Sequence, residues 1–303
     1  MKNNIIVLII LSALLSACDD RIIRIETTDL PTADSKLVLA AFLYPDSIVK
    51  IQVNRTAHLD ESYYLPSGTY AISNATVSLY EDSLWVEELA YVDKGYYHSA
   101  TAFMPRANHS YYFVVEAPGY EMAHSQPEKM PAEAPITGWS YDDSIGVYEP
   151  LAYDSPFEFA GQKVGRLAYY FDDPPSKNYY SLNANTILTD SSPPVLLYFN
   201  DILGCEPKGY PASIEDICFN GSETQVVTDV IPYQAFSFSS QDSVQVILTT
   251  ISESYYKFAI SREAYLIQAD GVFEAPFSPY NNIVNGYGLV AAANQSSITI
   301  CLK

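Results

Sequence analysis

The chain has 303 residues, 36 of them acidic against 16 basic, for a formal charge of −20 at pH 7. That length holds two ordinary domains or one large β domain, and a core of that size needs no staples. The charge argues against nucleic acid and anionic lipid as partners, since both would be repelled, and a solvated acidic coat accounts for it without a ligand.

Residues 1–17 begin with Lys2 as a short positive start, continue as an apolar run over 5–15, and end in small residues before Cys18. This is the pattern of a cleaved leader and is set aside from the fold. Leu15-Ser16-Ala17-Cys18 matches the lipobox, in which a branched apolar residue and two small ones fit the lipoprotein peptidase, so Cys18 is the expected lipidation site. The alternatives are an ordinary secretory signal with a chance cysteine or an uncleaved membrane helix. The run is short for a span and lacks a stop-transfer flank. Three acyl chains, at about 0.8 kcal/mol per buried methylene, make such an anchor effectively permanent. Residues 18–35 read as an acylated tether that opens with Asp19-Asp20. That acidic pair has two readings, retention at the inner membrane or export to the cell surface.

Short runs rich in Tyr, Val, Ile and Thr, separated by Pro, Gly, Asn and Asp, predict a mainly β protein. Strands over 36–44 and 48–55 form a hairpin across Pro45-Asp46-Ser47, with Val49, Ile51 and Val53 on one face. Further strands over 75–80, 84–91, 95–99 and 110–117 predict a small sandwich domain over 36–125, one strand short of the usual seven. Pro127, Pro131 and Pro135 crowd residues 126–135, where lost backbone donors and a stiffened chain suit a linker. Residues 136–303 then form a second β-rich domain, with strands over 166–172, 178–189, 194–200, 224–231 and 244–251. One short helix is predicted over 253–269, capped by Ser252 and followed by Gly271, with strand as the rival for part of it.

Besides Cys18 the chain holds Cys205, Cys218 and Cys301. In an oxidising compartment a disulfide between Cys205 and Cys218 is the favoured reading, closing a loop that contains Pro207, Gly209 and Pro211 and adding about 3 kcal/mol. Cys301 is left as the odd thiol. Zinc needs more Cys or His partners nearby than the sequence supplies, so no metal is expected. The four histidines, His58, His98, His109 and His124, are scattered. No Gly-x-Ser-x-Gly elbow, phosphate loop or dinucleotide fingerprint occurs, so neither a catalytic residue nor a cofactor is assigned. Asp142-Asp143 and Asp172-Asp173 lack the alternating-acid spacing of a calcium loop and read as solvated turns. A glycosidase pair of carboxylates stays open, because it is defined by separation in space. The 26 tyrosines are read mainly as core and sheet-surface residues, a minority forming a binding face.

Several segments are specific in combination: residues 75–82, Gly95-Tyr96-Tyr97, Ser110-Tyr111-Tyr112, the run 115–120 ending Ala117-Pro118-Gly119-Tyr120, and residues 131–136. Phe171-Asp172-Asp173-Pro174, Asn178-Tyr179-Tyr180, Pro276-Phe277-Ser278-Pro279 and residues 282–288 follow. In this order they resemble the Bacteroidota lipoprotein family known as domain of unknown function 4249. The resemblance covers essentially the whole mature chain, most weakly between 188 and 224. It implies an immunoglobulin-like or prealbumin-like N-terminal sandwich and an outer-membrane lipoprotein facing the exterior. It also implies a TonB-dependent receptor as partner, and it favours surface export for the acidic pair. Ser47, Ser83, Ser144 and Ser243 each stand in an Asp-Ser-apolar triplet that resembles the Bacteroidota O-glycosylation site, although Asp-Ser is equally what turns favour. The expected function is a noncatalytic accessory or binding subunit in nutrient capture, with a structural or adhesive surface protein as the alternative and an extracellular hydrolase behind it. Its interface is expected in Tyr-bearing loops of the C-terminal half, at Gly286-Tyr287-Gly288.

Overall fold

The computed structural model describes residues 34–57, 61, 69–147, 161, 163–187, 195–199, 213–232, 243–268 and 278–301. Cys18, the tether before Asp34, His58, Cys205 and Gly271 lie outside the described residues. The chain divides into two units, 1–34 with 57–64, and 35–56 with 65–303. The second is the body of the protein, and among its described residues the fold is mainly β with one α-helix.

The first half supplies β1 (Leu37–Leu43), β2 (Lys50–Arg55), β3 (Thr76–Glu81), β4 (Leu84–Glu88), β5 (Ala90–Tyr91), β6 (Tyr96–His98), β7 (Ser110–Glu116), β8 (Ala123–Ser125) and β9 (Glu128–Lys129). Alternation sets their faces: in β1, Leu37, Leu39, Ala41 and Leu43 are buried, and in β7, Tyr111, Phe113 and Val115. These side chains meet Ile51, Val53, Val77, Leu79 and Tyr97 in one core. The predicted strand over 84–91 is two strands. Its chain crosses from one sheet to the other at buried Leu89, whose N–H bonds the Val77 carbonyl at 2.8 Å. A bulge between Leu79 and Tyr80 precedes the crossing.

The second half supplies β10 (Ile136–Val147), β11 (Lys163–Asp172), β12 (Tyr179–Ile187), β13 (Val195–Phe199), β14 (Ser213–Glu215), β15 (Glu223–Pro232) and β16 (Ser243–Ile251). After these come helix α1 (Glu253–Gln268), β17 (Ile283–Val284) and β18 (Gly286–Cys301). A second core joins Leu167, Tyr169 and Phe171 of β11 and Val226 and Val230 of β15 to Tyr180, Leu182, Val244, Val246, Leu248 and Ile300.

Three sheets result. The eight-stranded sheet runs β14-β12-β16-β18-β1-β2-β6-β5; a six-stranded sheet (β17-β8-β7-β3-β4, with β9 on β7) covers its β1-β2-β6-β5 end, and a four-stranded sheet (β10-β11-β15-β13) covers its β14-β12-β16 end. Strand β18 is the bridge. Residues 286–292 pair in parallel with β1, and residues 293–301 pair antiparallel with β16. Val290, Ala291, Ala292 and Ala293 are all buried. On one face Ala293 packs with Tyr179, Ile251, Tyr255 and Tyr256, the last two from α1, and small side chains allow a helix to sit there. Gly286-Tyr287-Gly288 is thus the start of this strand, not a loop, which corrects the expectation for that segment. At Gly288, φ is +124° and a Cβ would strike the Leu39 carbonyl, so only glycine fits against β1.

Candidate binding surfaces

The buried carboxylates are each built into the fold. Glu87 accepts hydrogen bonds from the Ser99 and Thr101 hydroxyls and from Ala100 N (3.1 Å) and Thr101 N (3.2 Å), which pins the loop after β6. Asp173 accepts from Tyr180 Oη (2.5 Å) and Gly221 N (2.7 Å). Asp216 accepts from Asn178 N at 2.6 Å, and burial, with the charge of Asp173 adding to it, raises its pKa. Asp172 is exposed, but Asp173 is a buried structural acceptor; the pair is therefore not a wholly solvated turn. Glu128 on β9 is 4% exposed. It accepts from the Ser252 and Ser254 hydroxyls, from Ser254 N at the start of α1, and from Asn282 Nδ2 at 3.3 Å. Burial raises its pKa against those donors. Among the described residues no cluster of three His, Cys, Asp or Glu side chains has the arrangement to hold a metal ion.

At one end of the first sandwich, β1, β3 and β18 start and β2 and β7 finish, because Leu37 pairs with both Arg55 and Gly286, and Thr76 with Glu116. The Ala117-Pro118-Gly119-Tyr120 turn lies here, with φ of +85° at Gly119 and Tyr120 packed back on the core. A shallow cavity of about 420 Å³ is lined by Asn74, Thr76, Glu116, Pro118, Tyr120 and Met122. Lys36 Nζ stands 5.9 Å over the Tyr287 ring, and the Arg55 guanidinium 5.0 Å over Tyr70.

The outer face of the four-stranded sheet holds a second cavity, about 470 Å³, lined by Ser140, Asp142, Ile145, Arg166, Gln225 and Val227 with Tyr141 and Ala168. Arg166 forks onto Asp229, Nε to Oδ1 at 2.8 Å and Nη2 to Oδ2 at 3.1 Å, and Gln225 Nε2 donates to Tyr170 Oη at 2.9 Å. The Tyr141 ring lies where a side chain at Gly165 would be, 2.9 Å from a Cβ built there. Its phenol is pushed up to about 12 by burial, with Asp143 and Asp142 adding. The ring packs on the core side of the sheet; on the outer side, Ala168, Val227 and Ile145 with Arg166, Gln225 and Ser140 make a groove in the size range of a ligand pocket. Sequence reading missed it because β10 carries no clear two-residue alternation, and the pairing of Arg166 with Asp229 joins residues 63 positions apart.

Cys218 ends a 3-10 turn, Asp216–Cys218, and is disulfide-bonded; Cys301 is a free, exposed thiol at the end of β18. Ser47 and Ser83 are exposed in turns, Ser83 at φ +68° in the tip of the β3–β4 hairpin beside Asp82. Asp82 is held by His109 Nδ1 (2.6 Å) and Ser110 N (2.9 Å). Ser144 lies in β10. Ser243 is 7% exposed and paired on both sides as the first residue of β16.

Two tandem β-sandwiches sharing one sheet, with open grooves on their surfaces, place the protein in the β-sandwich class. Residues 23–299 match the family described as Domain of unknown function (DUF4249), and the chain belongs to that family. No curated protein matches it. Similar solved structures include a chicken TCR, 7% identical with a TM-score of 0.23, covering 88% of this chain and 99% of that one. Another is the T6 backbone pilin of serotype M6 Streptococcus pyogenes, 8% identical with a TM-score of 0.21 over 88% of this chain. This chain spans 64% of the pilin's length. Likeness at these scores bears on neither function nor partners.

Proposed function

We propose that this protein is a noncatalytic lipoprotein, anchored through Cys18 in the outer membrane and facing the exterior, that binds for a TonB-dependent receptor in nutrient capture. The supporting observation is the path of β18. It starts at the end of the first sandwich where β1 follows the tether, and it runs sixteen residues, about 50 Å, into the second sandwich. The first sandwich is then a spacer between the start of β1 and the second sandwich, which carries the groove on the four-stranded sheet. Anchoring raises the effective concentration of any membrane partner, so a modest interface is enough. Among the candidate serines whose burial is described, Ser47 and Ser83 are exposed and available for O-glycosylation, and Cys205 is the proposed partner of Cys218.

Photo-crosslinkers placed at Ser140 and Gln225 in intact cells test the partner, with mass spectrometry of the adducts. A barrel receptor is the expected adduct. Recovery of the protein alone, or of host or polymer adducts without a barrel, sinks the receptor reading, and efficient turnover of a glycan or peptide by the purified protein sinks the noncatalytic one. For the anchor, Cys18→Ala is expected to leave an unacylated precursor; fatty-acid label persisting on that variant rules the lipobox out.

A further inference from the structure

The end of the first sandwich at which the tether arrives has its own surface chemistry. Met122 (47% exposed), Tyr287 (51%) and Val284 (37%) stand out from it, with Asn285 Nδ2 tying the two strand starts together through the Met122 carbonyl at 3.3 Å. Lys36, one of only 16 basic residues, sits beside them over the Tyr287 ring. A tyrosine with a wet hydroxyl, flexible apolar side chains and a lysine able to reach outward are the groups that suit the level of lipid headgroups. The eighteen residues from Cys18 to Ser35 span at most about 60 Å. With Cys18 acylated, the start of β1 is therefore held within that reach of the bilayer.

We propose that the tether-side end of the first sandwich, through Lys36, Met122, Val284 and Tyr287, rests on the headgroup layer of the membrane that holds the anchor. The surface it fits is zwitterionic or neutral, because the net charge repels anionic lipid. Exposed Glu116 and Glu121 at the same end keep the contact at headgroup level, without insertion. The contact is weak by itself and is occupied because the anchor keeps it local. It also sets an upright stance, with β18 leading away from the membrane. The proposal rests on the lipoprotein reading above.

The test uses the acylated full chain in vesicles of brominated phosphatidylcholine. Both native tryptophans are away from this end: Trp85 follows the far end of β3, and Trp139 is in β10. Wild-type emission is expected to be the same in brominated and plain vesicles, whereas Tyr287→Trp should show added emission that brominated lipid removes. A vesicle-bound Tyr287→Trp protein without quenching overturns the proposal and leaves the anchor reading standing. Absence of acyl label on Cys18 overturns both. A photo-crosslinker at Met122 in cells is expected to yield lipid adducts; adducts to a protein instead would assign this end to a partner and overturn the proposal.

Discussion

Glu128 concentrates the polar energetics of the joint between the sandwiches. It comes from β9, yet its donors are Ser252 and Ser254 at the start of α1 and Asn282 before β17. Truncation to alanine strands those donors in a buried place, and Glu128→Ala is expected to cost about 2–3 kcal/mol in urea unfolding. Glutamine keeps an acceptor and has no charge to desolvate. Because burial raises the Glu128 pKa in the fold, its stabilising contribution is complete below the unfolded value and is lost as pH rises through the folded one. Glu128→Gln should therefore gain on wild type in going from about pH 4 to pH 7. A constant difference between the two proteins across that range would show that Glu128 does not titrate differently in the folded and unfolded states. Glu81 acts in the opposite sense: burial would raise it, but hydrogen bonds from Arg106 and Tyr111 win and lower it, so its contribution is lost on acidification. Gly288 is the other single-residue dependency. Gly288→Ala combines strain at positive φ with a collision against β1, and a loss of about 3 kcal/mol or more is expected from thermal or urea unfolding.

Among the elements, α1 was legible from its cap. Ser252 Oγ accepts from Tyr255 N at 3.4 Å, as Ser before a helix should. The same oxygen also accepts from Ala292 N at 3.2 Å, so it ties the helix to β18, a role no local pattern announces. Ser252→Ala should accordingly cost about 2 kcal/mol, the upper end for a cap, measured by urea unfolding against an exposed-serine control such as Ser47→Ala. The strands of the first sandwich were legible because one face is buried and the other wet, as in β1 and β7. Strands β8, β9 and β17 were not, since two or three residues give no period to read. Most of β18 escaped for the opposite reason, since only its end, from Ser297, alternates. Its middle is covered on both faces, so Val290–Ala293 reads as a short apolar run beside glycines instead of an alternating strand. The proline-rich stretch 126–135 looked like a linker by composition, yet Glu128–Lys129 pairs with β7, where proline flanks a strand too short to need its donors.

At the scale of the whole molecule the two halves have separate cores but depend on one strand. Ile283, Val290 and Ala292 complete the first core, and Ile300 completes the second. This long-range closure could not be read from residue spacing, because β1 and its partner in β18 are about as far apart in sequence as the described chain allows. It has a direct consequence for fragments. Residues 36–135 alone leave the inner edge of β1 without its partner and expose the apolar side chains that β17 and β18 cover; an open edge of that kind pairs with other chains. This fragment is expected to aggregate or remain unfolded. Addition of a peptide spanning residues 281–301 should restore a cooperative transition, because β-strand addition supplies both the missing ladder and the missing core side chains. The full body should unfold in one transition by circular dichroism and by tyrosine fluorescence, since losing β18 from either sandwich removes it from both. A stable, soluble 36–135 fragment with its own cooperative melt, unaffected by the peptide, would show that the first sandwich is closed without the end of the chain, and that β18 joins two independent domains without completing either.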